Sequence, residues 1–526
     1  MKPWFDAPKP TMADLVAGVS VALVLIPQSL AYAQIAEMPA VTGLFASALP
    51  LIAFSLLASS PYLQTGPVAL TSLLTLAALQ GAGFTSDDPE YVKLAALLAF
   101  IVGACRLLLG VGRLGWLAYL IVEPVRRGFT SAAAIIIISS QLPKAMGTAA
   151  TAPESSTLGQ ALWSVSHPGA WAPADLLLAA ITLAVMLGGR RVHRLFPGVA
   201  VAVVIGLVFS GVVGDDTVLT VGDFNPIPEG LPSLSLDLPW SSVGTLVVGG
   251  LIIALVGFAE PASIARQFAM EDKARWDANR ELAGSGLANL TAAVSGAFPV
   301  GGSFSRSSIN RLAGARTRWS GGLTGLVVLA FLPFASVLDG LPLAVIGAIV
   351  IGAVLSLVKP KVLGGLWRQS RTEAVLAWCT FVATLAVSPA LHWAVVLGVA
   401  LTTAVHLARP LQLHTVGLDG PAGGTTVKTA TDVTVKVTGL LWPASYGAFE
   451  QRLRAAADDN PSADIVVDLG HETGLDPSVE SAMQRVTAEL NQAGRTLSVT
   501  GRDHRPSPEV SPTTGAATGA GGRRAG

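Results

Sequence analysis

Over its first four hundred residues the chain alternates long runs of Leu, Ile, Val, Ala and Phe with short polar breaks. A membrane-crossing helix needs roughly 20 apolar residues, fewer where a helix is broken inside protein. On that criterion about fourteen spans are predicted. They fall near 13–33, 41–58, 66–80, 91–112, 128–141, 174–188, 196–213, 243–265, 281–296, 303–313, 320–338, 341–358, 371–388 and 392–408. The third and tenth are too short and too polar for ordinary spans, yet they hold corresponding places in the two halves, 13–215 and 243–410.

After Pro410 the pattern changes. Asp432 to Thr438 alternates like a half-buried strand, Ser445 to Ala457 has helical spacing, and Asp464 to Leu469 is a buried-strand run. Ser478 to Ala493 then predicts a second helix and Thr496 to Thr500 a further strand, so 425–502 is expected to be a small α/β domain. The segment 503–526, rich in Pro, Gly, Ala, Ser and Thr, is expected to be disordered. Residues 1–12 form a short segment before the first span. Lys2, Lys9, the apolar Leu15 to Ile26 and Ala31-Tyr32-Ala33 imitate a signal peptide. Pro27 and Gln28 interrupt that stretch and further spans follow, so a retained first helix is predicted.

Composition agrees with lipid as the main solvent: of 526 residues 51% are apolar and only 13% charged, where a soluble chain has about a quarter charged. Basic and acidic residues balance at 34 each, which gives no nucleic-acid signature, but their placement is uneven. Arg113, Arg126 and Arg127; Arg190, Arg191 and Arg194; Lys273, Arg275 and Arg280; and Lys359, Lys361, Arg368 and Arg371 all fall on one set of connections. The opposite set includes Gly81 to Glu90, with Asp87, Asp88 and Glu90, and Gly214 to Trp240, with five acids and no Lys or Arg. The positive-inside rule then places both termini in the cytoplasm of a multi-pass protein of the cell (inner) membrane. Cys105 and Cys379 lie far apart inside apolar runs and predict neither a disulfide framework nor a metal knuckle.

Two segments carry candidate chemistry. Gln64-Thr65-Gly66-Pro67-Val68-Ala69 opens the third span and Pro299-Val300-Gly301-Gly302-Ser303-Phe304-Ser305-Arg306 opens the tenth. Paired, Gly/Pro-interrupted segments in two halves point to a transporter site built from inverted repeats. Helix starts leave backbone N–H groups free at the positive end of a dipole, which suits an anion, and Arg306 adds a guanidinium. The plain alternatives are ordinary loop turns and, for Arg306, a topology charge beside Arg311, Arg316 and Arg318. Glu260 interrupts an apolar span before Pro261 and is a candidate proton carrier, or else a helix-end carboxylate paired with Arg266. Arg106 is expected to snorkel to the inner interface and His392 to be interfacial. No HExxH, P-loop, zinc knuckle or nucleophile elbow is present, so neither an enzyme nor an ATP-driven pump is expected, and no cofactor or metal.

At these residues the chain resembles the SulP family of anion transporters. The resemblance lies in Ile26-Pro27-Gln28-Ser29-Leu30-Ala31-Tyr32-Ala33, in Gly66-Pro67-Val68-Ala69, and from Gly257 through Gly314, with Asn279-Arg280-Glu281-Leu282, Gly286-Leu287-Ala288-Asn289 and Ser303-Phe304-Ser305-Arg306-Ser307. It covers roughly residues 11–410. The tail resembles a STAS domain in Ile465-Val466-Val467-Asp468-Leu469, while Asp476-Pro477-Ser478-Val479 departs from that domain's Asp-Ser-Ser-Gly turn, so a scaffold role is expected rather than phosphorylation at Ser478.

The resemblance implies a polytopic α-helical fold of two inverted seven-helix repeats, a core domain moving against a gate domain, and a homodimer supported by the tail. It implies an anion site at Gln28, Tyr32, Val68, Ala69, Ser303, Phe304, Ser305 and Arg306, and a proton-coupling role for Glu260. Sodium-coupled relatives have a hydroxyl four positions after that acid, and here Ile264 stands there, which favours protons. Proton-coupled uptake or exchange of sulfate is the leading expectation, with bicarbonate next and chloride also in range. An anion channel and a membrane-anchored signalling protein are the other classes.

Overall fold

The computed structural model describes residues 9–115, 123–153, 156–193, 196–213, 218–224, 226–358, 364–367, 371–387, 397 and 400, and in the tail 426–428, 432–436, 453–459, 461, 464–468, 486–491 and 495–500. The chain divides into two compact units, Met1–His406 and Leu407–Gly526.

In the first unit the helices follow the apolar runs. They are α1 (Met12–Ile35), α2 (Ala40–Ser47), α3 (Leu49–Leu57), α4 (Ala69–Gly81), α5 (Tyr91–Val111), α6 (Glu123–Ala145), α7 (Thr157–Ser166), α8 (Pro173–Val192), α9 (Gly198–Val213) and the single turn α10 (Val221–Phe224). After these come α11 (Val243–Glu271), α12 (Ala278–Val294), α13 (Phe304–Leu312), α14 (Trp319–Phe331), α15 (Leu343–Val354) and α16 (Arg371–Ala386). Two strands interrupt the series, β1 (Gln64–Gly66) before α4 and β2 (Gly301–Ser303) before α13. The predicted second span is split between α2 and α3, where Pro50 removes a backbone donor. Of the predicted span 392–408 only residues 397 and 400 are described, both helical, and His392 lies outside the described residues.

Among the described residues five stretches are long and apolar enough to cross a bilayer unaided: Met12–Ile35, Ala40–Leu57, Tyr91–Val111, Trp240–Glu271 and Trp319–Leu338. Outward-facing Leu108, Val111, Val204, Val208 and Val212 are exposed in the protein and meet lipid in a membrane. Lipid removes the usual hydrophobic drive between helices, so close backbone approach has to supply contact energy. Helices α5 and α12 use it: a Cβ on Gly103 would stand 2.6 Å from Leu290 N, and one on Gly286 2.5 Å from Leu107 N.

The helices pack in two groups. Helices α1, α3, α4, α5, α11, α12, α13 and α14 pack on one another together with β1 and β2. Helix α6 packs on α7, α8, α15 and α16, with α9 joining through α8 and α15. These groups correspond to the core and gate that the family resemblance implies.

One polar clasp fixes where α1 begins. The buried Asp14 carboxylate closes a capping box with Thr11 and also accepts from Arg316 N, Thr317 N and Thr317 Oγ1, each at 2.8–2.9 Å. Hydrogen bonds to a charged group contribute about 1.5–3 kcal/mol each, so this carboxylate holds α1 firmly to the turn before α14.

Arg106 corrects a sequence-based expectation. It does not snorkel but is fully buried. Its Nε donates to Ala254 O and its Nη2 to Ile253 O, both at 3.0 Å, while Nη1 donates to Ser285 Oγ at 2.9 Å and Val300 O at 3.0 Å. Four acceptors on three segments keep it inside, because a satisfied guanidinium loses little by leaving the interface. Gly257 makes the room, since a Cβ there would stand 2.6 Å from Arg106 Nη2.

The tail unit contains a four-stranded sheet of β3 (Thr426–Lys428), β4 (Asp432–Lys436), β5 (Asp464–Asp468) and β6 (Leu497–Thr500), in that spatial order. The first pair is antiparallel and the other two parallel, with Val433 opposite Ile465 and Ile465 opposite Leu497. Helical residues 453–458 and 486–491 fall in the two parallel crossovers, as such connections require. Strand β3 was not foreseen. Asp476 to Val479 and 503–526 lie outside the described residues.

Candidate functional site

The two Gly/Pro-interrupted segments meet. Strands β1 and β2 pair antiparallel, with Gln64 opposite Ser303, Thr65 opposite Gly302 and Gly66 opposite Gly301. Each strand runs directly toward a helix start, so the antiparallel ladder sends α4 and α13 away in opposite directions and leaves both N-termini at the crossing. A three-residue ladder sets those ends on the order of 10 Å apart.

Glycines allow this approach. A Cβ on Gly301 would stand 3.0 Å from Thr71 Cγ2, and one on Gly302 2.9 Å from Pro261 Cβ, so β2 lies directly on α11 beside Glu260. Gly66 has φ +147°, a conformation that favours glycine, and a Cβ there would stand 3.5 Å from Arg306 Nη2.

Side-chain clasps hold the crossing together. Gln64 N donates to Ser307 Oγ at 2.9 Å and Ser307 Oγ donates to Ser303 O at 2.6 Å. Asn310 Nδ2 reaches Tyr62 O at 3.0 Å and Ser320 Oγ at 2.9 Å. Just before β2, Asn289 accepts from Val300 N at 2.9 Å and donates to Val300 O at 3.2 Å, the carbonyl that also takes Arg106.

Within this frame Arg306 is fully buried, and none of its three guanidinium nitrogens has a hydrogen-bond partner among the described residues. It interacts electrostatically with Tyr32 of α1 and Glu260 of α11. Leaving an ion of this kind without hydrogen bonds costs several kcal/mol, so a negative group at this position would be stabilised. Helix α4 adds a second attraction. Its N-cap Val68 supplies no side-chain cap, and its first backbone bond is Ser72 N to Val68 O, which leaves the N–H groups of Ala69, Leu70 and Thr71 without helical acceptors. Helix α13 differs, because Ser303 caps it by accepting from Arg306 N at 3.4 Å.

Of the residues expected from sequence, Gln28 and Tyr32 are buried on α1, Val68 and Ala69 stand at the start of α4, and Ser303, Ser305 and Arg306 stand at the start of α13. The ring of Phe304 does not join them. It is 47% exposed and stacks on Phe268, whose ring also meets Tyr62 and the Arg311 guanidinium. Arg311 in turn pairs with Glu271 and Asp272, so it is occupied elsewhere. Among the described residues no group of His, Cys, Asp and Glu is placed to hold a metal ion.

Sequence reasoning missed Arg126. Instead of lying in a connection, it sits in the first turn of α6 and shares with Glu260 a cavity of about 10 Å³. Leu70, Val125, Phe129, Thr130, Val256 and Ala259 complete the lining. Only the helix boundary, placed five residues too late by hydropathy, hid it.

Comparison with known proteins agrees with this architecture. Residues 12–380 match the model of the sulfate permease family. A chloroplastic sulfate transporter, 4.1, of Arabidopsis thaliana is 32% identical over 422 residues, 79% of this chain and 61% of that protein. The chain thus spans about three fifths of that relative's length. A probable sulfate transporter of Mycobacterium tuberculosis is 34% identical over 412 residues, 76% of this chain and 71% of its own. In fold, the murine solute carrier 26 family member A9 anion transporter, solved in the inward-facing state, superposes with a TM-score of 0.69 at 20% identity, covering 96% of this chain and 87% of that one. With about seven tenths of its length matched by the family model and its broken helices crossed as the motifs require, this polytopic membrane chain belongs to the sulfate permease family.

Proposed function

We propose that the chain is a secondary active transporter of small inorganic anions, taking up or exchanging sulfate together with a proton by alternating access. The observation that carries the reading is the buried Arg306 guanidinium without partners, set where two half-helices present their N-termini. Helix ends and a guanidinium suit an oxyanion, since several donors converge on one small charged group. The anion is placed between Arg306, the free N–H groups of Ala69 and Leu70, and the start of α13 at Ser303 and Ser305, with Gln28 and Tyr32 closing from α1. The relatives' names favour sulfate over bicarbonate and chloride.

Glu260 is assigned the proton. It stands beside β2 and interacts electrostatically with Arg306, so its charge state acts directly on the anion's strongest partner. Ile264, buried on the same helix, supplies no hydroxyl for sodium. Alternation is assigned to movement of the two helix groups about the crossing. The one-sided basic connections support cytoplasmic termini in the inner membrane, and the tail sheet is read as a STAS-like scaffold of a homodimer.

Uptake of radiolabelled sulfate into proteoliposomes, with and without an inward proton gradient, tests this. Stimulation by the gradient is expected, and Glu260→Gln should abolish the stimulation while sparing sulfate–sulfate exchange. Sodium-driven bicarbonate flux without sulfate uptake would replace both substrate and coupling ion, and uncoupled conductance would replace the transporter with a channel.

A further inference from the structure

The geometry points to Arg126 as the gate's contribution to the anion site: a second cation, facing Glu260 across the core–gate seam, that makes the site selective for a divalent oxyanion carried with one proton. This rests on the proton-coupled reading above and adds to it the residue that sets the charge of the cargo.

Three charged groups meet here, and each comes from a different helix. Glu260 on α11 interacts electrostatically with Arg126 on α6 and with Arg306 on α13, and among the described residues Tyr32 of α1 is a further titratable group that faces it. Arg126 belongs to the helix group that holds α7, α8, α15 and α16, whereas Glu260 and Arg306 belong to the group that holds the crossing. The cavity shared by Arg126 and Glu260 has a volume of about 10 Å³, room for about one water molecule. Leu70, in the first turn of α4, lines the same cavity, so Arg126 approaches the uncapped helix start at which the anion is placed. The rest of the lining is mostly apolar, which weakens screening and lengthens the reach of each charge.

Differences in charge give the selectivity. Protonation of Glu260 adds one positive charge to the group that it forms with Arg126 and Arg306, which favours a divalent oxyanion such as sulfate over a monovalent anion, whereas loss of the Arg126 guanidinium subtracts one. Proton and sulfate then enter together because each lowers the cost of burying the other. Movement of the gate withdraws Arg126, so the charge that holds the divalent anion is present on one side of the cycle and absent on the other.

The test compares full-length wild type, Arg126→Gln, Arg126→Met, Arg126→Lys and Glu260→Gln in proteoliposomes. Labelled sulfate is the substrate, and unlabelled sulfate or bicarbonate is the competitor. Arg126→Gln should cut gradient-driven sulfate uptake at least tenfold and shift competition toward bicarbonate, whereas Arg126→Lys should retain the wild-type preference. Arg126→Met, whose side chain suits the apolar lining, reads the same ratio should the glutamine form fail to fold. A double variant, Arg126→Gln with Glu260→Gln, should show the same bicarbonate preference at every pH. If Glu260→Gln abolishes the gradient response while Arg126→Gln and Arg126→Met leave the sulfate-to-bicarbonate preference unchanged, this inference is overturned and proton coupling stands. A wild type indifferent to the gradient would instead overturn the proton-coupled reading itself.

Discussion

Two arginines of the membrane part are fully buried among the described residues, Arg106 and Arg306, and they are opposites. Arg106 donates four hydrogen bonds, three of them to backbone carbonyls, and ties α5 to α11, α12 and the chain entering β2. Arg306, one strand further along, has three nitrogens and no hydrogen-bond partner among the described residues. The first charge stabilises the fold by completing it. The second meets Tyr32 and Glu260 only electrostatically and makes no hydrogen bond among the described residues, and an unsatisfied guanidinium retained within a finished core is a candidate position for a ligand.

That contrast predicts opposite responses to the loss of each guanidinium. The largest effect is expected from Arg306→Ala, which should lower sulfate uptake on the order of 100-fold, the consequence of removing a buried charged contact worth about 3 kcal/mol. Its thermal unfolding should stay at or above the wild-type temperature, because an uncompensated charge has been removed. A wild-type uptake rate in that variant would break the comparison. Arg106→Met should do the reverse, lowering stability by roughly 3 kcal/mol as Ile253, Ala254 and Val300 lose a donor, measured as a lower unfolding temperature in detergent. Sulfate added to that variant should restore part of the lost stability, which shows the anion site still present. The smallest effect sharpens the difference between the two helix starts. Val68→Ser places a capping hydroxyl on α4 like that of Ser303 on α13, and the competition should weaken sulfate affinity about fivefold, the equivalent of about 1 kcal/mol.

Much of this was legible in the sequence, for physical reasons that differ by element. Apolar runs fix the spans, because lipid tolerates no unsatisfied backbone, and every predicted span up to residue 388 contains helix. The crossing was legible through Gly66, Pro67, Gly301 and Gly302, residues whose chemistry breaks a helix and admits a second backbone. What sequence could not separate was one buried arginine from the other, since Arg106 and Arg306 differ only in partners contributed from residues 147 to 194 positions away. The ring of Phe304 was illegible for a related reason: its backbone opens α13, but its ring turns toward Phe268. Arg126 was hidden because hydropathy sees a charge as the end of a span, whereas α6 starts at Glu123 and carries that charge inward to Glu260.

The central claim is that an oxyanion is held at the crossing of the two half-helices by Arg306. Its most direct test is anomalous X-ray diffraction at the selenium edge from crystals of the full-length protein grown with selenate in place of sulfate. The account predicts a selenium peak within hydrogen-bonding reach of the Arg306 guanidinium and the first N–H groups of α4. An empty crossing, with selenate bound elsewhere in the membrane part, would contradict it.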